Sequence, residues 1–173
     1  MDTKNQLIEK LENKTAKIAV LGLGYVGLPF ATVFAEAGFN VIGIDPDERK
    51  IEKLKQGESY IQDVPTELVA QLVKMGRLEA TTDFAALTEA DAVSICVPTP
   101  LRKTGDPDLS FILSVTTELA KYMHPGMVVV LESTTYPGTT REILLPQLGD
   151  DTDLVVGEDS SWHFRPNEWT LVE

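Results

Sequence analysis

The sequence predicts an α/β fold with a single domain, in which helices cover both faces of a parallel β-sheet. Apolar runs such as Ile18–Leu21 and Asn40–Ile44 are typical of strands that are buried on both faces. Segments of helical spacing alternate with these runs, which indicates right-handed βαβ units. The length of 173 residues agrees with one domain, or with one domain and a small further piece.

Each predicted helix and strand is based on a local pattern in the sequence. Residues 1–15 are expected to hold a short amphipathic helix, because Leu7, Ile8 and Leu11 recur at helical spacing. Further predicted helices, several of which end before a glycine, cover residues 26–37, 47–56, 65–75, 110–122 and 139–145. The other predicted strands cover residues 78–81, 92–97, 127–131 and 154–156. Residues 57–64 and 98–109 are long loops, where α/β folds bind ligands.

Composition and charge argue against several classes of protein. Hydrophobic residues make up 43% of the chain and charged residues 24%, which excludes a disordered or low-complexity chain. The net charge of −12 argues against nucleic acid as a partner, because nucleic-acid-binding proteins present a basic face. The apolar runs are far shorter than the roughly 20 residues that span a bilayer, so no membrane contact is expected.

The expected compartment is the cytoplasm. The first residues are charged and lack the apolar stretch of a secretory signal peptide. Cys96 is the single cysteine, so no disulfide can form within the chain, which fits a reducing environment.

A glycine motif, G-L-G-Y-V-G, follows the first predicted strand and opens the next helix. In this context the motif indicates dinucleotide binding and a Rossmann-type doubly wound sheet. Gly22 would allow the tight turn, Gly24 would let the backbone approach a pyrophosphate, and Gly27 would let helix and strand pack closely. The start of the helix would offer free N–H groups and a partial positive charge to the phosphates.

An acidic residue, Asp45, ends the second predicted strand. A carboxylate at this place accepts hydrogen bonds from the ribose hydroxyls of adenosine and repels a 2′-phosphate, so NAD is favoured over NADP. Arg49 lies one helical turn further on. It is expected to flank the adenine or to be solvated, although it could weaken the discrimination against NADP.

Three residues that often carry chemistry are expected to be structural here. Cys96 lies inside an apolar strand, so a buried thiol is expected rather than a reactive one. His124 precedes a proline near a helix end, where a capping or surface histidine is expected. His163 lies far from it in the sequence, and neither has clustered partners, so no metal site is predicted.

Hydroxyl side chains follow two strands at the sheet edge that would face a cofactor. These are Thr99 after one strand, and Ser133 and Thr134 after another. Their hydroxyls either bond a ribose or carboxamide, or cap the following turn as such residues commonly do. Spacing alone leaves both interpretations open.

These motifs resemble the N-terminal half of the UDP-glucose/GDP-mannose dehydrogenase family, the nucleotide-sugar 6-dehydrogenases. The similar stretches, between residue 16 and about residue 158, are KIAVLGLGYVGLPFA, VIGIDPDERKIEKLKQGES, ICVPTPL and ESTTYPGTT. PTPL followed by DPDLS, together with ESTTYPGTT, is most similar to the branch that acts on UDP-N-acetylglucosamine or UDP-N-acetylmannosamine.

The resemblance implies an NAD-binding domain over residues 16–158 of an enzyme that oxidises the C6 alcohol of a UDP-sugar to the uronate with two NAD⁺. Family members use a cysteine and a lysine that follow this domain, so no catalytic residue is expected in this chain, which by itself would be inactive. The resemblance leaves a homo-oligomer open. The residues predicted to bind the cofactor are Gly22, Gly24, Tyr25, Val26, Gly27, Asp45, Arg49, Thr99, Ser133 and Thr134.

The last residues depart from the resemblance. Where the family has a stretch similar to FFLAFSPERVDPG, this chain has SSWHFRPNEWTLVE, which contains both tryptophans. One T added after the codon of Asp159, with suitable third bases, converts this tail into the family stretch. Residues 159–173 are therefore expected to be a frame-shifted, disordered tail, and the catalytic half is expected to be missing.

Two alternatives remain. A non-catalytic NAD-binding module, such as a redox sensor or a partner subunit, would keep the same glycines and Asp45 but would have a selected tail. A different short Rossmann enzyme, of the 3-hydroxyacyl or 6-phosphogluconate dehydrogenase type, would lack PTPL and ESTTYPGTT, which this chain has.

Overall fold

A computed structural model describes residues 3–103, 105–133, 135, 139, 142, 144–146 and 148, and the backbone of 161–164. Six parallel strands form one sheet: β1 (Lys17–Leu21), β2 (Asn40–Ile44), β3 (Leu78–Thr81), β4 (Ala92–Ile95), β5 (Val128–Leu131) and β6 (Ser161–Phe164). Their order across the sheet is β3-β2-β1-β4-β5-β6, which is the order of the doubly wound dinucleotide-binding fold. The predicted fold class is therefore confirmed.

Among the described residues, five α-helices have defined bounds: α1 (Thr3–Glu12), which precedes β1, and α2 (Gly27–Glu36), α3 (Glu48–Lys55), α4 (Thr66–Lys74) and α5 (Ser110–Ala120). The last four agree with the predicted helices to within about two residues at each end, which is the usual uncertainty of a helix boundary, and α1 lies inside the predicted stretch 1–15. A short 3₁₀ helix at Phe84–Glu89 was not predicted. It begins at Asp83, whose carboxylate accepts a hydrogen bond of 2.8 Å from Ala85 N.

The sheet has a hydrophobic core on each face, because successive side chains of a strand point to opposite sides. In β1, Ile18 and Val20 pack with α2, α3 and α4, whereas Ala19 and Leu21 pack with α5 and the 3₁₀ helix. Burial of the strands on both faces explains their continuous apolar sequences.

The switch in strand order lies between β1 and β4. The chain leaves β1 through α2 to β2 on one side, and β4 pairs with β1 on the other, with Leu21 opposite Ile95. Open α/β sheets bind their ligands in the crevice outside such a switch point, at the carboxyl ends of the strands. The loops that follow β1, β2, β4 and β5 all begin at this edge.

The end of the chain differs from the prediction in one respect. Where disorder was predicted over residues 159–173, the backbone of β6 pairs in parallel with β5, with Val129 opposite Trp162. The physical reason is that β5 without β6 would leave a row of unpaired N–H and C=O groups, which another strand can satisfy. The other tail residues, the predicted strand 154–156 and three of the seven residues of the predicted helix 139–145 lie outside the described residues, and the four residues of that helix that are described are helical.

Candidate functional site

The segment that follows β1 and ends with the first residue of α2, residues 22–27 (the glycine loop), turns sharply at its first residue. Gly22 has φ of 89°, a left-handed conformation that disfavours other side chains, and its N–H donates to the carbonyl of Ile44 in β2 at 2.8 Å. A Cβ atom on Gly22 would lie 3.0 Å from the carbonyl oxygen of Cys96 at the end of β4. Both the turn and the close approach to β4 therefore require glycine at this position.

The other two glycines of the loop differ in their surroundings. A Cβ on Gly27 would lie 1.7 Å from the carbonyl oxygen of Gly22, so this glycine is required by packing inside the protein. A Cβ on Gly24 would have no atom of the described residues within 4 Å. The space next to Gly24 is open in the protein alone, which is what a residue that receives a ligand requires.

The residues that lead into α2 are exposed to solvent, and they belong to the glycine loop. Among the described residues no side chain caps the helix at Val26, and Tyr25 and Val26 are exposed by 83% and 54%. The first N–H groups of a helix need partners, and together with the helix dipole they attract an anion. The predicted phosphate contacts of Tyr25 and Val26 therefore have a suitable local geometry.

The carboxylate of Asp45 lies at the end of β2 and is almost completely buried, with 4% of the residue exposed. Its Oδ2 accepts hydrogen bonds from Leu23 N and Lys50 Nζ, both at 2.8 Å, and its Oδ1 accepts from Asp47 N at 3.0 Å. A carboxylate has about four acceptor positions, so one remains for a ligand hydroxyl. Asp45 thus joins the glycine loop to the start of α3 and can still accept a ribose hydroxyl.

The two basic residues at the start of α3 have different surroundings. Arg49 makes a two-pronged ion pair with Asp47, with Nε–Oδ1 and Nη2–Oδ2 distances of 3.0 Å, which lowers the pKa of the Asp47 carboxyl. The Arg49 side chain is 88% exposed and does not line the cavity described below. Lys50, which the sequence analysis did not select, pairs with Asp45 and does line it.

The polar residues after β4 and β5 are brought together across the sheet edge. Ser133 is buried, and its hydroxyl donates to the carbonyl of Val97 at 2.7 Å, so it ties the two loops together. This contact gives the Ser133 hydroxyl a structural role within the protein. Its oxygen can still accept a hydrogen bond from a ligand. Thr99 lies in the same cavity wall, whereas Thr134 lies outside the described residues.

A cavity of about 690 Å³ joins these loops and is large enough for a nucleotide ligand. Seven of the ten predicted cofactor residues line it; Gly27 and Arg49 do not, and Thr134 is not described. Its lining residues are Gly22, Gly24, Tyr25, Val26, Asp45, Lys50, Tyr60, Ile61, Cys96, Val97, Pro98, Thr99, Glu132 and Ser133.

Sequence reasoning did not assign seven of the lining residues to the cofactor: Lys50, Tyr60, Ile61, Cys96, Val97, Pro98 and Glu132. Tyr60 and Ile61 belong to the loop 57–64, which the sequence marked as a long loop at the ligand edge without selecting a residue in it. Lys50 is adjacent to Arg49, but a helical wheel anchored on buried Ile51 and Leu54 places Lys50 beside the buried face and Arg49 on the opposite one, so this signal could have identified Lys50. The contact of Tyr60 with Leu23 spans 37 positions of sequence, whereas that of Lys50 with Asp45 spans only five.

Cys96 is buried at 6% exposure, as its apolar surroundings predict, and faces the cavity with little free surface. Burial raises the pKa of the thiol to about 11; a contact of 3.5 Å with Ser94 Oγ lowers it, and the charge of Glu132 raises it further. The thiolate is the reactive form of cysteine, so this thiol is unsuited to act as a nucleophile near neutral pH.

We expect Cys96 to react with a disulfide reagent at pH 8 at least about 100-fold more slowly in the native chain than in 6 M urea, where an unfolded thiol has a pKa of about 8.5. The native rate should increase about tenfold for each unit of pH up to about pH 11. Absorbance of the released thiol measures both rates. Equal rates in buffer and urea would show that the thiol is accessible and ionised.

The part of the chain that the structure describes has neither a metal-binding cluster nor a helix that could span a membrane. No group of three histidine, cysteine or carboxylate side chains there could hold a metal ion. His124 lies beside the carbonyls of Pro125 and Ala90, away from the cavity, and His163 lies in β6, of whose side chains nothing is described. None of the described helices is long and apolar enough to cross a bilayer.

Comparison with known proteins gives consistent matches. Residues 16–161 match the model of the UDP-glucose/GDP-mannose dehydrogenase family, NAD binding domain. The chain is 40% identical over 149 residues to Protein CapL of Staphylococcus aureus, covering 86% of this chain and 34% of CapL. It is 38% identical over 132 residues to UDP-N-acetyl-D-mannosamine dehydrogenase of Methanococcus maripaludis, covering 73% of this chain and 30% of that protein.

A solved structure also matches this chain in fold and in sequence. The crystal structure of NDP-N-acetyl-D-galactosaminuronic acid dehydrogenase from Methanosarcina mazei Go1 superposes with a TM-score of 0.85 and 36% identity. The match covers 99% of this chain and 38% of that one. The chain thus spans about a third of the length of the relatives that it matches.

Proposed function

Since this chain belongs to the UDP-glucose/GDP-mannose dehydrogenase family, matching its NAD-binding domain over residues 16–161, we propose that it binds NAD⁺ in the cavity at the carboxyl edge of its sheet. The diphosphate lies against Gly24 and the start of α2, and the adenosine ribose lies against Asp45. Thr99 and Ser133 line the nicotinamide side, and Thr134 is assigned to that side by its motif alone.

The observation that carries this proposal is the open space at Gly24 combined with the uncapped start of α2. An anion placed there would receive N–H groups that no described side chain caps, and no Cβ atom would obstruct it. The buried carboxylate of Asp45 lines the same cavity, where it favours an unphosphorylated ribose. When bound, NAD⁺ accepts a hydride from the carbon that is oxidised.

Titration of the purified chain with NAD⁺ tests the proposal, with Asp45→Ala as the variant. We expect Asp45→Ala to weaken NAD⁺ binding by about 10- to 100-fold, because hydrogen bonds to a charged group contribute roughly 1.5–3 kcal/mol each. The preference for NAD⁺ over NADP⁺ should also decrease. Isothermal titration calorimetry gives both affinities.

The control for this experiment is Asp83→Ala. Asp83 also accepts a hydrogen bond from a backbone N–H, but it starts the 3₁₀ helix and does not line the cavity. Asp83→Ala should leave the NAD⁺ affinity unchanged. Absence of NAD⁺ binding by the unaltered chain, or equal affinities for all three proteins, would contradict the proposed site.

For the whole enzyme we propose oxidation of the C6 alcohol of a UDP-sugar to the uronate, with two NAD⁺ consumed. A UDP-N-acetylhexosamine is the favoured substrate, because PTPL followed by DPDLS, together with ESTTYPGTT, resembles the branch that acts on these sugars. Relatives named for UDP-N-acetyl-D-mannosamine and UDP-N-acetyl-D-glucosamine are 38% and 34% identical to this chain. Relatives named for GDP-mannose are equally similar, at 38% identity, and UDP-glucose is the alternative substrate. The cytoplasm remains the predicted compartment.

We further propose that this chain binds NAD⁺ without oxidising a sugar by itself. Its single thiol, Cys96, is buried and its pKa is raised to about 11, whereas the chemistry that the family resemblance implies needs a reactive thiolate. In an assay with NAD⁺ and UDP-N-acetylglucosamine or UDP-N-acetylmannosamine, no increase in absorbance at the NADH wavelength is expected. Sustained formation of NADH would contradict this part of the proposal.

A further inference from the structure

Leu23, the second residue of the glycine loop, is held on three sides. Its N–H donates to Asp45 Oδ2 at 2.8 Å, and its carbonyl accepts a hydrogen bond of 2.7 Å from the hydroxyl of Tyr60. Its side chain is completely buried against Gly43 of β2, where a Cβ atom would lie 2.6 Å from Leu23 Cδ2. Three residues from two segments, the end of β2 and the loop 57–64, thus determine the position of one loop residue.

The contact from Tyr60 acts on the peptide bond that joins Leu23 to Gly24. This bond is planar and no cis peptide is present in the described chain, so the carbonyl of Leu23 and the N–H of Gly24 point in opposite directions. Holding the carbonyl therefore also fixes the direction of the Gly24 N–H. Gly24 is the residue with open space beside it, where a diphosphate would approach the backbone.

Tyr60 is suited to hold this carbonyl permanently. It is half-buried in the cavity wall, and burial raises the pKa of its phenol, with the negative charges of Asp45 and Asp47 adding to the effect. The hydroxyl therefore keeps its proton and remains a donor throughout the physiological range. The contact also bridges 37 positions of sequence, so it attaches the loop 57–64 to the glycine loop.

We propose that Tyr60 is a positioning residue for the dinucleotide site, whose hydroxyl holds the Leu23 carbonyl and thereby keeps the glycine loop in the form that receives a diphosphate. This inference rests on the proposed NAD⁺ binding. It assigns to Tyr60 an effect on the diphosphate part of the ligand, transmitted through Leu23 and Gly24, rather than a contact with the adenosine part.

The test is Tyr60→Phe, which keeps the ring and removes only the hydroxyl. NAD⁺ and ADP, which carry a diphosphate, and adenosine, which does not, are titrated against the chain and followed by NMR. We expect the affinities for NAD⁺ and ADP to fall about fivefold, the usual effect of one neutral hydrogen bond, while the affinity for adenosine changes less than twofold. The amide signal of Gly24 should also shift in the variant before any ligand is added.

Tyr122→Phe is the control, because Tyr122 is also partly buried but packs on the opposite face of the sheet. It should alter none of the three affinities. An equal loss of affinity for adenosine and ADP, unchanged affinity for all three ligands, or loss of the fold in Tyr60→Phe would each overturn the assignment of Tyr60. Failure of the unaltered chain to bind NAD⁺ would instead overturn the proposed function.

Discussion

Replacement of Gly27 by alanine is expected to lower the free energy of unfolding by at least about 3 kcal/mol, the upper end of the usual cost of overpacking. The new Cβ would lie 1.7 Å from the carbonyl oxygen of Gly22 and 3.2 Å from Cys96 Cβ. Backbone atoms cannot rotate away as a flexible side chain can. Either α2 must move away from β1, or the glycine loop must open, and both changes disturb buried residues.

Urea unfolding followed by circular dichroism measures this effect. Gly24→Ala is the control, because it makes the same substitution three residues earlier in the same loop, where no described atom lies within 4 Å of the new Cβ. Its unfolding midpoint should remain close to that of the unaltered chain. An unchanged midpoint in Gly27→Ala would mean that helix and strand do not approach each other as closely as the structure shows.

The substitution Gly24→Val is expected to have the opposite effect, with stability nearly retained and NAD⁺ affinity reduced by roughly 10- to 100-fold or more. The valine side chain would fill the open space beside Gly24 and keep a diphosphate away from the loop N–H groups. Bonds from these groups to a charged phosphate are among the stronger hydrogen bonds of such a site. Calorimetric titration with NAD⁺ measures the loss.

Two further comparisons test whether the loss of NAD⁺ affinity in Gly24→Val arises at the diphosphate. Adenosine has no phosphate, so Gly24→Val should bind it as the unaltered chain does. Gly24→Ala carries a smaller side chain and should lose less NAD⁺ affinity than Gly24→Val. If Gly24→Val bound NAD⁺ normally, the diphosphate would have to lie elsewhere, and the assignment of the glycine loop would be wrong.

Together the two substitutions separate two roles that the glycine motif combines. Sequence reasoning expected Gly27 to serve packing and Gly24 to serve the ligand, from the motif alone. The structure supports this division through the space around each Cβ position: 1.7 Å to a backbone atom at Gly27, and nothing described within 4 Å at Gly24. Loss of stability with one and loss of ligand with the other would demonstrate it.

Much of the fold could be predicted from the sequence because its information is local. Strand β3 at Leu78–Thr81 and strand β2 at Asn40–Ile44 were predicted with the bounds that the structure has. Runs of apolar residues, glycines at element ends and helical spacing are each readable within a few positions. The short 3₁₀ helix was missed, because its six residues, about two turns, contain too little periodicity to recognise.

The site was predictable in its main part for the same reason. The glycine loop and Asp45 follow strands directly, so the topology alone brings them to one edge. Arg49 was selected over Lys50, but the structure places Arg49 in an exposed pair with Asp47 and Lys50 against Asp45. One step along a helix turns a side chain by about 100°, and the choice between neighbours depends on what each then meets.

By itself, the sequence determined the fold class, the order of the elements, the glycine loop and the acidic end of β2, because each depends on short-range pattern and on general rules of βαβ topology. Only the tertiary structure decided that Cys96 lies beside the cavity, that Lys50 pairs with Asp45, and that Tyr60 holds Leu23. The contacts of Cys96 and Tyr60 join segments that are distant in sequence, and that of Lys50 depends on which way a helix faces. Such contacts form through packing, which local sequence does not specify.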